Sequence, residues 1–142
     1  MPIPAQSEYE TLIYGLQAAY PEIVSSSLHL YSVSTLAAIV EGDIRFANGL
    51  VLRVMEVVNF RSGRIQNYSY TVLRDTERVR WYDPQPHPEL LELAPTFPHH
   101  RHEPPDIKHN RRPAPGISFT APNLPTLVAD CIALGTTPLS NS

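Results

Sequence analysis

The sequence predicts an α+β fold, with an N-terminal helix packed on an antiparallel meander of four to five strands, a long docked Pro/His-rich loop and a short C-terminal helix. Three observations predict it: apolar residues recur at helical spacing over residues 6–20, they alternate over much of residues 23–83, and prolines crowd the chain from residue 84 onward. A stripe at helical spacing buries one face, and alternation marks strands covered on one side. At 142 residues the chain forms one domain, residues 1–142, able to bury about two-thirds of its unfolded surface without a metal or disulfide staple.

In residues 6–20 the stripe is Tyr9, Leu12, Ile13, Leu16 and Tyr20. Ser7 with Glu10 fits a capping box, and Pro21 stops the helix. Residues 23–31 form the first strand, weakened by Ser25, Ser26 and Ser27. In residues 40–46, Val40, Ile44 and Phe46 are interleaved with Glu41, Asp43 and Arg45, and Ala47, Asn48 and Gly49 turn the chain into the apolar run 50–58. A three-residue loop sets Phe46 opposite Leu50 and Ile44 opposite Leu52, which keeps the apolar rows on one face. Arg61, Ser62 and Gly63 make the next turn, into residues 65–73 with Tyr68, Tyr70 and Val72 on one side. Asp75 and Thr76 then lead into residues 78–82.

At Asp83 the composition changes: twelve of the fifteen prolines lie at or beyond Pro84, and five of the six histidines lie between His87 and His109. Proline removes a backbone donor and fixes φ, so residues 84–122 are predicted as an extended irregular segment wrapping the sheet. Leu90, Leu91, Leu93, Phe97, Ile107, Ile117 and Phe119 are its apolar anchors, and a disordered linker would have little use for so many. The last helix, about residues 124–134, begins after Asn123 as N-cap, with Pro125 at the first helical position and Gly135 ending it.

The net charge of −3 gives no global footprint for nucleic acid, so any RNA contact must come from a local patch. A single cysteine, Cys131, excludes an intramolecular disulfide and fits a reducing compartment. No basic leader and no apolar run of spanning length is present, which predicts a soluble, cytoplasmic protein with no membrane partner.

The chemistry concentrates in PTFPHHRHEPPDIKH, residues 95–109. His99, His100 and His102 have the residue types for a zinc or nickel site, with Glu103, Asp106 or His87 as a further ligand. Adjacent side chains at 99 and 100 point to opposite sides of an extended chain, so only His100 and His102 share a direction, and no metal or other cofactor is assigned. The same residues suit RNA scission through its own 2′-hydroxyl, which needs a base, an acid and cations for the phosphorane charge. Arg78 and Arg80 on the preceding strand, with Tyr68, Tyr70, Trp81 and Tyr82 as stacking surfaces, complete a single-strand groove. A third account is purely structural, with the histidines satisfying carbonyls left unpaired by proline.

The succession YSYTVLRD, VRWYDPQPHPEL, TFPHHRHEPPDIKHNRRPAPGISF, PNLP resembles the TumE-type toxin components of prokaryotic toxin–antitoxin systems, over roughly residues 42–132. The PHHxH block is the most specific part of the resemblance. It implies a small toxin with a cognate antitoxin as partner, often a DNA-binding protein, and its marked polar positions fall on Arg80, Tyr82, Asp83, His87, His99, His100 and His102. The insertion PELLELAPTF separates His87 from the PHHxH block.

Residues and resemblance together predict a metal-independent ribonuclease toxin with RNA as substrate. His99, His100, His102 and Arg80 are the catalytic candidates, and Tyr82, His87, Arg101, Lys108, His109 and Arg111 the substrate-binding ones. A homodimer is compatible with this. The competing classes are a non-enzymatic module that docks a protein through the His/Pro loop, and a small metal-dependent hydrolase.

Overall fold

The computed structural model describes residues 2–136. The predicted first helix is two helices, α1 (Gln6–Tyr14) and α2 (Leu16–Ala19), broken at Gly15, a residue of poor helix propensity. Tyr9, Ile13 and Leu16 are buried, with Leu12 and Tyr20 packed beside them, as the stripe predicts. The capping box does not form. The N-cap is Ala5, without a side-chain cap, and Glu10 instead accepts from Gln6 Nε2 at 3.2 Å.

The predicted first strand is also two, β1 (Ile23–Ser26) and β2 (His29–Ser32), both antiparallel to β3 (Ala37–Phe46). The kink between them crosses Gly42. Its φ is +144°, and a Cβ there would stand 2.5 Å from the Ser27 carbonyl oxygen, so no other residue fits without displacing the crossing chain. Strands β4 (Leu50–Asn59), β5 (Arg64–Arg74) and β6 (Glu77–Asp83) complete the meander, and Ile44 stands opposite Leu52 as predicted.

Among the described residues the sheet has eight strands, because the Pro/His-rich segment adds β7 (His100–His102) and β8 (Arg111–Pro113), each antiparallel to its neighbour. This corrects both the four- to five-stranded meander and the wholly irregular loop over residues 84–122. His100, Arg101 and His102 keep their backbone donors, with Pro98 and Pro104 outside them, and Pro113 lies on the edge strand, where a missing donor is tolerated. A 3-10 turn, Leu91–Thr96, precedes β7, and the Ala114 N–H donates to Thr96 Oγ1 at 3.1 Å. Of the predicted anchors, Leu93 and Ile117 are buried, whereas Leu91 and Phe97 are exposed.

The last helix, α3 (Leu124–Thr136), runs through Gly135 to the end of the described residues. Its first turn opens with the Leu127 N–H donating to the Asn123 carbonyl. Helices α1 and α3 lie on one face of the sheet and enclose the core with the inward rows Leu50, Leu52, Val54, Val58 and Tyr68, Tyr70, Val72. Full burial of each large aliphatic side chain contributes about 1.5–3 kcal/mol. No described helix is long and apolar enough to cross a membrane.

Candidate functional site

Strand alternation divides the histidine block between the two faces of the sheet. Tyr82 stands opposite Tyr70 and Arg101, so Arg101 shares the helix-covered face, while Trp81 opposite His102 and Asp83 opposite His100 lie on the outer face. His99, one residue before His100, returns to the helix side, where its Nδ1 is hydrogen-bonded to Tyr68 OH at 2.6 Å and its ring packs on Phe119 at 4.5 Å. Burial and the neighbouring His100 lower its pKa to about 4.

On the outer face three groups converge. His100 Nε2 lies 3.1 Å from His102 Nε2, His102 Nε2 lies 3.0 Å from Asp83 Oδ2, and His100 Nε2 lies 3.2 Å from Asp83 Oδ1. Both imidazoles are oriented from behind: His102 Nδ1 is 2.7 Å from the Ile107 carbonyl and His100 Nδ1 is 3.3 Å from that of Pro98. A carbonyl only accepts, so both Nδ1 atoms carry a hydrogen; while the rings are neutral, both Nε2 atoms present lone pairs to the carboxylate. Burial lowers the His102 pKa, and the nearby Asp83 only partly offsets this. Burial works to raise the Asp83 carboxyl, but hydrogen bonds from His100 and the Gln85 N–H and the charges of the two imidazoles outweigh it, holding the group below the usual carboxylate range.

The rings are walled in. His102 stacks on Trp81 at 4.4 Å, and His87, held by Glu89 at 3.2 Å, packs edge-on against His100 at 5.2 Å. His100 and His102 are 1 % and 2 % exposed, while Asp83 reaches a shallow open pocket with Asn67, Ser69, Trp81 and Gln85. On the far side, β8 sets Arg111 opposite His102, and Arg111 Nε is buried without a hydrogen-bond partner. The cross-strand row is therefore Trp81, His102, Arg111, with the Arg78 guanidinium 5.3 Å from the Trp81 ring.

Of the predicted site residues, the structure brings together His100, His102, His87 and Arg111. The insertion before the PHHxH block does not keep His87 away. Arg80, Tyr82 and Arg101 stand on the opposite face: Arg80 and Arg101 both pair with Glu103, at 3.1 and 2.9 Å, and Tyr82 OH donates to Asp130 at 2.9 Å. Lys108 and His109 are exposed in the turn before β8, and His109 pairs with Asp106. Asp83 joins the cluster although residue chemistry alone did not select it; its signal was an acidic residue two positions after an outward-facing Trp81. The adjacency that opposes a metal cage concerns His99 alone, since the other two histidines converge with Asp83.

A second buried polar cluster lies under the helices and was not read from the sequence. Glu56, fully buried in the inward row of β4, accepts from Tyr9 OH and Tyr70 OH at 2.5 Å each, and Tyr70 OH accepts from Asn123 Nδ2 at 3.0 Å. Burial raises the Glu56 pKa against the pull of both hydroxyls. Cys131 is buried in α3, with its thiol pushed up to about 12, so it remains a protonated core residue.

The fold and site define a class: a small α+β protein with an imidazole–carboxylate centre on the sheet face away from its helices. The model of the family described as Toxin TumE matches residues 13–134, and the chain belongs to that family. Membership makes a cognate antitoxin the expected partner. No curated protein and no solved structure matches the chain.

Proposed function

We propose that this toxin cleaves the backbone of single-stranded RNA at the cluster of Asp83, His100 and His102. The observation that carries this reading is the row Trp81, His102, Arg111, which combines an aromatic face, an acceptor cluster and a guanidinium across three adjacent strands. A nucleobase stacks on an aromatic ring whatever its sequence, and a planar guanidinium matches phosphate. RNA carries its own nucleophile in the 2′-hydroxyl, so the protein needs to receive that proton, hold the charge gathering on phosphorus and release the 5′ oxygen. The bare lone pairs beside Asp83 suit the first task and Arg111 the second, and the imidazolium formed when an Nε2 takes the 2′-hydroxyl proton supplies the third by giving a proton to the 5′ oxygen as its bond to phosphorus breaks. Under this reading the toxin works in the cytoplasm, and the antitoxin is a small DNA-binding protein encoded beside it.

The test pairs cells with purified protein. Induction of the chain alone is expected to arrest bacterial growth, and the protein to cut single-stranded RNA in buffers that chelate divalent ions. Asp83→Asn and His102→Gln are expected to lose both effects while remaining folded. Growth arrest with intact RNA, or variants as toxic as the parent, would overturn the reading. A second account, docking of a protein target, is favoured by Leu91 and Phe97, which are 81 % and 49 % exposed on the same segment.

A further inference from the structure

While both rings are neutral, three lone-pair donors converge with no hydrogen between them, and the site calls for a positive charge. One proton on either Nε2 satisfies a single line of the triangle and leaves the remaining acceptors facing each other in a buried site, where unmatched polar groups are expensive. A divalent ion at the centre satisfies all three. The dimensions agree: ligands ~2.0–2.2 Å from an ion stand ~3.0 Å apart at right angles and ~3.4 Å apart in a tetrahedron, and the edges here are 3.1, 3.0 and 3.2 Å. The surroundings agree too, because a metal-ligating imidazole characteristically donates its other N–H to a carbonyl or carboxylate, which fixes ring and tautomer. Both rings do so here, to Pro98 and Ile107.

We propose that Asp83, His100 and His102 bind one divalent first-row transition-metal ion, of which zinc is the type best suited to two imidazoles and a carboxylate. Three protein ligands leave at least one position open, and Asp83 lines the pocket through which a phosphate oxygen would reach it. Its binding does not rest on the ribonuclease reading; under that reading ion and proton compete for the same lone pairs, so the ion-free cluster cleaves and the loaded one does not. The block PHHxH then has a division of labour: the second and third histidines are ligands, and the first is a core residue on the other face.

The test titrates metal-stripped full-length protein with cobalt(II) and zinc(II), following cobalt absorption and thermal unfolding. The expected result is one ion per chain, a higher Tm for the loaded parent, and X-ray absorption showing two imidazoles with no sulfur. Asp83→Asn, His100→Gln and His102→Gln are expected to weaken binding by more than the ~10–100-fold seen when an outer-shell partner is lost, and a change at the exposed His29 of β2, His29→Ala, to leave it unchanged. The absorption measurement on the parent stands even if a variant does not fold. Absence of a bound ion, or equal affinity in all three ligand variants, would overturn the site. RNA cut by protein that binds no ion overturns the metal site and keeps the ribonuclease reading. One bound ion in a protein that cuts no RNA under any condition overturns the ribonuclease reading and keeps the metal site.

Discussion

Two buried polar clusters sit on opposite faces of one sheet and differ in whether their hydrogen bonds close. Under the helices, Glu56 takes Tyr9 and Tyr70, and Tyr70 takes Asn123, so α1, β4, β5 and the start of α3 are tied through matched donors and acceptors. On the outer face, Asp83, His100 and His102 aim acceptors at one another. The two imidazoles are as buried as Glu56, and only Asp83 reaches the open pocket, so burial of the side chains alone does not separate structure from function. A closed network rigidifies a core, whereas a convergence that lacks a positive charge is a place for a proton, an ion or a substrate.

The largest effect that tests this contrast is on activity. His102→Gln is expected to lower RNA cleavage by ~10²–10⁴-fold, the range for removal of a proton-transfer group, with the circular dichroism spectrum and Tm little changed. A variant that unfolds instead would make the outer cluster structural and erase the difference. Tyr9→Phe should do the reverse, leaving one Glu56 oxygen without its partner and removing about 1–3 kcal/mol of stability. Urea titration reads that loss, and cleavage per folded molecule should stay at the parent level.

The pH response sharpens the comparison further. A Glu56 carboxyl whose pKa is raised in the folded state stays protonated there while the unfolded chain ionises. Stability therefore falls as pH rises above about 4.3, through the window up to the raised value. A protonated Glu56 still accepts from Tyr70 and can donate to Tyr9, and Glu56→Gln mimics that state. The expected outcome is a small stability change at low pH and loss of this slope, read as the parent-minus-variant difference across a pH series of urea melts. A difference that grows with pH would show that Glu56 folds as the carboxylate. The smallest effect is expected at His109→Ala: exposed and paired only with Asp106, it should alter cleavage and stability by less than about twofold and 0.5 kcal/mol, the range of ordinary surface changes.

Much of the sheet was legible because its strands alternate. The turn at Ala47, Asn48 and Gly49 fixes the facing of Ile44 and Leu52, and one slipped residue would have turned an apolar row to water. Strands β7 and β8 were not legible, since three residues between prolines carry no period, and pairing with β6 supplies the order they lack. The site was half legible. Alternation separates His99 from His100 and His102 in any extended chain, but Asp83 belongs to a different strand, and Arg111 rather than Arg80 lies beside the histidines because of how β8 pairs with β7. Glu56 left a faint mark, an acid in an inward row of aliphatic residues.

The sequence by itself determined the α+β class, the helix stripe, the meander register and the direction shared by His100 and His102, because these follow from the local periods of helix and strand. Tertiary structure alone decided that Asp83 completes the cluster, that Arg80 turns to Glu103 beneath the helices and that Tyr9 meets Glu56. Those contacts join residues 17 to 47 positions apart, and no local period carries information across such separations; only the packing of strands and helices brings the partners within bonding distance.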